Sequence, residues 1–272
     1  MNPAGRVALV PAGGYRFRHA ARMEWTKLRS LRSTGWALLL VVAGMIGMGI
    51  VVMANTRAPV TDAQRAAFDP TNNVLAGVAL GQLVIGVLGV LVMTGEYAAG
   101  TIRATLAAIP NRPLLLSAKA AVFGGVVLIV GEAVTFVAFL AGRAALTARA
   151  PHPALGQPGV LRAVAMSGAY LCLIGLLGLG LGAITRHGAS AITILVGVAF
   201  VLPTLVGGLS RSIVVARYFP IMIAANSLAA AKPMAGIGDT RFLSPWAGLG
   251  MLCLYTAATL AVGGWLLARR DA

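Results

Sequence analysis

Long apolar runs separated by short polar and basic stretches set the pattern of this chain. Six runs, about Trp36 to Ala54, Val74 to Met93, Ala120 to Gly142, Val164 to Thr185, Ala189 to Ser210 and Trp246 to Ala268, reach the roughly 20 residues an α-helix needs to cross a bilayer. The pattern predicts an all-α polytopic membrane protein with six transmembrane helices. All 272 residues read as one transmembrane domain, with an interfacial helix over 15–34 and a six-span bundle over 36–268. The first run follows a long basic segment, so it reads as a retained anchor and not a cleaved signal.

The polar stretches have patterns of their own. In YRFRHAARMEWTKLRSLRS, from Tyr15 to Ser33, Phe17, Ala21, Trp25 and Leu28 are spaced for one helical face, and Arg18, Arg22, Arg29 and Arg32 mark another. That describes a helix along the membrane surface with its arginines toward lipid phosphates; a plain basic anchor is the alternative. From Thr94 to Lys119 runs TGEYAAGTIRATLAAIPNRPLLLSAK, a basic island between two spans. Ile102, Leu106 and Ile109 recur at i, i+4 and i+7, with Glu96 and Arg103 on a different face, which predicts a short amphipathic helix stopped by Pro110 and Pro113. The stretch SRSIVVARYFPIMIAANSLAAAK, before the last span, is interrupted by Arg217 and Pro220. It reads as two short helices dipping into the outer leaflet, with Pro220 at the break. Gly77 with Gly81, and Gly178 with Gly182, have the i, i+4 spacing that lets helix backbones approach closely in lipid.

Composition agrees with the pattern: 58% of residues are hydrophobic, 11% are charged, and the mean hydropathy is +0.87. These values exclude an ordinary soluble domain. A net charge of +15 raises nucleic acid as a partner, but the basic residues are spread over the segments between spans, where anionic lipid selects them. The expected partner is therefore membrane lipid, with no nucleic acid. Thirteen of the 22 Lys and Arg fall on the side of the N-terminus, against nine on the other. This bias places both termini and the Thr94–Lys119 island in the cytoplasm of a multi-pass membrane protein. Cys172 and Cys253 both lie inside apolar runs and read as packing residues.

Candidate chemistry is sparse. Glu132 is the only acid well inside a span, and a charge there demands a partner or a water-filled cavity. It is a candidate for the translocation path or a proton site, with a structural hydrogen bond as the alternative. Gln82, Thr193, Tyr255, Thr256 and Thr259 read as interhelical glue, and Pro203 as a kink in the fifth span. His19, His152 and His187 have no companions at metal-ligand spacing, so no metal site and no catalytic residue is expected. Lys27, Lys119 and Lys232 are followed by Leu, Ala and Pro, which rules out the lysine and Ser/Thr of a P-loop.

Three stretches carry a resemblance: EWTKLRSLRS before the first span, GEYAAGTIRATLAAIPNRPLLLSAK after the second, and RYFPIMIAANSLA before the last. In this order they resemble the permease subunits of type-2 ABC exporters, particularly the bacitracin-exporter-like group, over nearly the whole chain. The resemblance implies a transporter permease that is not itself an enzyme. It implies two ATPase subunits that bind ATP and magnesium, with no cofactor in this chain, and a second permease subunit as homodimer or heterodimer. It implies that the N-terminal amphipathic helix connects along the membrane, with Phe17, Arg22, Trp25, Leu28, Arg29 and Arg32. It also implies that Glu96, Gly100, Thr101, Arg103, Thr105 and Leu106, closed by Pro110, Arg112 and Lys119, belong to a coupling helix that docks in the ATPase. Glu96 is expected in the first turn of that helix, with Gly100 permitting close approach. Two other readings stay open: an ATP-independent secondary transporter or channel using Glu132, and a membrane sensor or assembly protein. The substrate is not specified by these motifs.

Overall fold

The computed structural model describes residues 16–56, 61, 70–145, 152–203, 205, 217–228, 230 and 243–269. Among these residues the only regular elements are helices. Five are long and apolar enough to cross a membrane: α2 (Arg32–Ala54), α3 (Pro70–Ala98), α5 (Arg112–Ala145), α6 (Val160–Thr185) and α9 (Pro245–Arg269). The chain is a polytopic α-helical membrane protein. Four shorter helices accompany them: α1 (Phe17–Ser30), α4 (Ile102–Ala108), α7 (Gly188–Val196) and α8 (Pro220–Leu228).

Helix α6 is the centre of the bundle, the most enclosed of the five long helices, while α2 and α9 keep most of their surface outward. The reason lies in its glycines. A Cβ at Gly178 would meet the backbone of Gly86 and Val90, and one at Gly89 would meet Gly175, so α3 and α6 cross with their backbones almost touching. Lipid gives helices no hydrophobic reason to associate, so this close contact supplies the packing. The spaced glycines of the sequence are thus real packing positions: Gly77 lies against the backbone of Met45 on α2, and Gly182 against Val90 and Met93. Their partners Gly86 and Gly89 are additions made by the structure.

Several boundaries differ from the sequence reading. Helix α5 starts at Arg112 and runs for 34 residues, about 51 Å, well beyond the roughly 30 Å of hydrocarbon. Pro113 does not stop α4. It sits in the first turn of α5, where a missing amide costs nothing, and the side chain of Asn111 caps that turn by accepting the Leu114 N–H at 3.0 Å. The fifth predicted span is described only as α7, continued by a π turn over Gly197–Val201 in which the Leu202 N–H reaches back to Gly197 O. This irregular turn directly precedes Pro203, the predicted kink. Residues 204 and 206–210 of that span lie outside the described residues, as do 211–216, the first part of the predicted re-entrant pair. Residues 217–218 form part of a 3₁₀ turn and Pro220 is the first residue of α8, while most of the first half of the predicted pair lies outside the described residues.

Helices α2, α5 and α7 leave from the end of the bundle that carries α1 and α4, and α3, α6 and α9 arrive there. Arg112 at the start of α5 donates to Leu267 O at the end of α9 at 2.8 Å. Gly188 at the start of α7 faces the Thr94 side chain near the end of α3.

Candidate functional site

The Thr94–Lys119 island folds as the last turn of α3, a reversal at Gly100, helix α4 and the first turns of α5. Gly100 has φ +68°, the left-handed region that disfavours side chains, and a Cβ there would meet nothing within 4 Å. The turn itself requires this glycine, in addition to the close approach of a partner expected of it. Glu96 sits near the C-terminus of α3 and not in the first turn of α4, which corrects the sequence expectation.

Behind α4 lies an ion network. Lys119 Nζ donates to Glu24 Oε2 and to Glu96 Oε1, each at 2.6 Å. Lys27 Nζ reaches the same Glu96 oxygen at 3.0 Å, Glu24 Oε1 at 3.4 Å and Thr105 Oγ1 at 3.1 Å. The Thr105 hydroxyl passes the chain on to Thr101 O. Two carboxylates and two ammonium groups from α1, α3 and α5 therefore balance in charge, and α4 is tied to them through Thr105. Side chains of Lys119 and Glu24 are 3% and 4% exposed, and that of Glu96 is 12% exposed. Charges so enclosed are tolerated only when paired and hydrogen-bonded. A small apolar cluster of Ala20, Ile109, Leu115 and Ala118, flanked by Met23 and Leu106, packs beside the network and joins α1, α4 and α5.

The residues expected to dock are split by this arrangement. Glu96, Thr105 and Lys119 face inward into the network, Leu106 is half-buried, and Arg112 is occupied at least in part by the end of α9. Gly100, Thr101 and Arg103 are exposed, and Ala104, Ala107, Ala108, Pro110 and Asn111 complete one outward face. Ile102 and Ile109, each 4% exposed, hold the opposite side of α4 against the bundle.

Helix α1 turns one stripe into the bundle and leaves the rest of its surface outward. Its buried stripe is Ala20, Glu24 and Leu28, so of the predicted apolar face only Leu28 is fully enclosed. Phe17 and Trp25 are exposed, as are Arg22, Arg29 and Arg32, and the Leu31 joint in extended conformation separates α1 from α2. The network residues missed by the sequence reading are Glu24 and the pairing role of Lys27. A signal was there: the chain has only seven acidic residues, and Glu24 stands alone among the cations of its segment.

Within the spans, Glu132 is half-buried and its carboxyl lies over Gly168 on α6, where a Cβ would come within 2.7 Å of Oε1. It is far along α5 from the network. Thr256 joins α9 to Leu173 O of α6 at 3.2 Å as interhelical glue, while Tyr255 donates to Tyr218 O, just before α8, at 3.3 Å. The hydroxyls of Thr193 and Thr259 instead bond carbonyls of their own helices. Cys172 donates to Gly124 O of α5 at 3.3 Å, while Cys253 is exposed.

No protein-family model matches the chain, and no curated protein matches it either.

Proposed function

We propose that this chain is the permease subunit of an ABC-type exporter, coupling ATP hydrolysis by a separate ATPase to movement of a substrate across a bacterial plasma membrane. The observation that carries the reading is α4: a short helix between two long ones, braced from behind by a buried ion network, with its far face open. That is what a helix needs in order to receive a push from a partner and pass it into the bundle. Its outward residues are small apart from Arg103, so a partner surface can approach closely and offer an acidic or carbonyl group to the guanidinium.

The long helices add support. Helix α7 leaves from the α4 end, and α9 returns to that end, which favours a sixth crossing between them. The exposed cations of α1 suit an anionic cytoplasmic leaflet, with both termini inside. In this reading two permeases and two ATPases assemble, and ATP-driven closure of the ATPases moves α4, biasing the bundle between two arrangements.

Arg103→Glu tests the reading. Charge reversal on the open face is expected to reduce recovery of the ATPase with the tagged permease by at least about tenfold, with membrane insertion unchanged. Recovery at the level of the unmodified chain would count against α4 as the docking helix.

A further inference from the structure

A second site lies toward the α4 end of the bundle, on the flank formed by α2 and α3. A cavity of about 360 Å³ opens there, lined by Leu31, Thr34, Ala37 and Leu40 on one wall and by α3 between Leu83 and Val92 on the other. Leu40 and Leu91 are exposed at its edges, so it opens sideways from the bundle. Nine residue steps along α3, from Leu83 to Val92, make about 14 Å. That is close to the depth of one leaflet, half of the roughly 30 Å of hydrocarbon, so a groove of this length with an apolar lining fits one acyl chain.

The end of the groove beside α1 is polar. Ser33 and Thr34 both line it, and neither hydroxyl has a hydrogen-bond partner among the described residues. Ser33 is exposed and Thr34 is 5% exposed, so one hydroxyl stands at the mouth and the other just inside. Leu31, at the N-cap position of α2, supplies no side-chain cap, which leaves the first amides of that helix for an anion. Arg32 lies in the chain between Leu31 and Ser33, and Arg29 comes just before. Both arginines are exposed, and neither makes a hydrogen bond or ion pair among the described residues. The described acids of this end, Glu24 and Glu96, are taken by Lys119 and Lys27. A second copy of the chain would therefore bring no free described acid from this end to meet these arginines, whereas an anionic lipid brings a phosphate.

We propose that this groove holds one acyl chain of an anionic phospholipid, with the headgroup phosphate held by Arg29, Arg32 and the hydroxyls of Ser33 and Thr34. A lipid seated there spans the Leu31 joint, and so ties α1, which braces α4 through Glu24 and Lys27, to the first two spans. Binding stands apart from the permease reading. Only its assignment to the cytoplasmic leaflet rests on that reading.

The full chain is placed in phosphatidylcholine nanodiscs that contain a small share of a photo-reactive lipid, either phosphatidylglycerol or phosphatidylcholine, each with the same diazirine on one acyl chain. After illumination, labelled peptides are mapped by mass spectrometry, with the exposed Leu254 of α9 as the reference surface. Relative to that surface, the phosphatidylglycerol probe is expected to label 34–40 and 83–92 at least about fivefold more than the phosphatidylcholine probe, the worth of one arginine near an anionic lipid. Arg29→Gln combined with Arg32→Gln should bring the two probes level, and because both side chains are exposed the fold is kept. Ala37→Leu, which fills the groove and leaves the arginines in place, should lower labelling of 83–92 by both probes; unchanged labelling there would contradict a chain seated in the groove. Equal labelling by the two probes in the unmodified chain would overturn the proposal. So would a groove labelled by neither probe while position 254 is labelled, which would show that a protein surface, such as a second copy, covers it. Because no ATPase is present, failure here leaves the permease reading untouched, and loss of ATPase recovery in Arg103→Glu leaves this site untouched.

Discussion

Replacing Lys119 by methionine is expected to destabilise the protein by about 3–5 kcal/mol, the usual effect of removing one member of a buried ion pair. The side chain bridges Glu24 on α1 and Glu96 on α3 at 2.6 Å each, and it is 3% exposed. Methionine fills nearly the same volume, so the loss comes from charge and not from a cavity. Two buried carboxylates would be left to share Lys27, which is itself about one-third exposed. The sharper expectation concerns the double variant. Adding Glu24→Gln to Lys119→Met restores one carboxylate to one ammonium, so the pair should be less destabilising than the sum of the single changes by more than about 1 kcal/mol. Unfolding in mild detergent, followed by denaturant titration, measures all three. Additivity within about 0.5 kcal/mol would mean that Lys119 and Glu24 are not coupled in one network.

Gly178→Val should be comparably damaging for a different reason. The first added carbon would lie inside contact distance of the Gly86 carbonyl and within 3.3 Å of Val90 N, both backbone atoms of α3. Backbone cannot rotate away as a side chain can, so α3 and α6 must separate. Overpacking commonly costs about 1–3 kcal/mol, and a forced separation of two backbones belongs at or above the upper end. Gly197→Val is the internal control, since a Cβ there meets nothing within 4 Å. Equal stability of the two variants would show that the α3–α6 crossing is looser than described.

These two positions illustrate what could be read from the sequence. Gly178 and Gly182 were legible as a packing motif because lipid-embedded helices have few other ways to associate. Their partners Gly86 and Gly89 were not, since an i, i+3 pair is only one of many small-residue spacings in glycine-rich spans. The five long helices were legible from hydropathy, with ends displaced where polar residues belong to helices. Arg112 and Lys119 broke the apolar run, so α5 was expected to begin at Ala120, yet Asn111 and Pro113 form a regular helix start before them.

The site was half legible. The island, its short helix and the inward side of Ile102 and Ile109 followed from spacing. The ion network did not, because the buried stripe of α1 is Ala20, Glu24 and Leu28, and apolar periodicity points instead to Phe17, Ala21 and Trp25. A stripe with a buried glutamate at its centre becomes visible only when Lys119, nearly a hundred residues away in sequence, is brought against it. Glu96 and Lys119 were thus assigned to an outward contact, while the structure uses them to brace the helix that carries Arg103.

The central claim is that the open face of α4 receives an ATPase. It is tested most directly by a photo-reactive amino acid placed at Ala107 on that face, with Leu254 on the exposed side of α9 as the control. After illumination of native membranes, the account predicts a covalent adduct between the Ala107 variant and a P-loop ATPase, reduced when Arg103→Glu is added, and none from position 254. Adducts from Ala107 that contain no ATPase, in membranes where the chain is fully inserted, would contradict it.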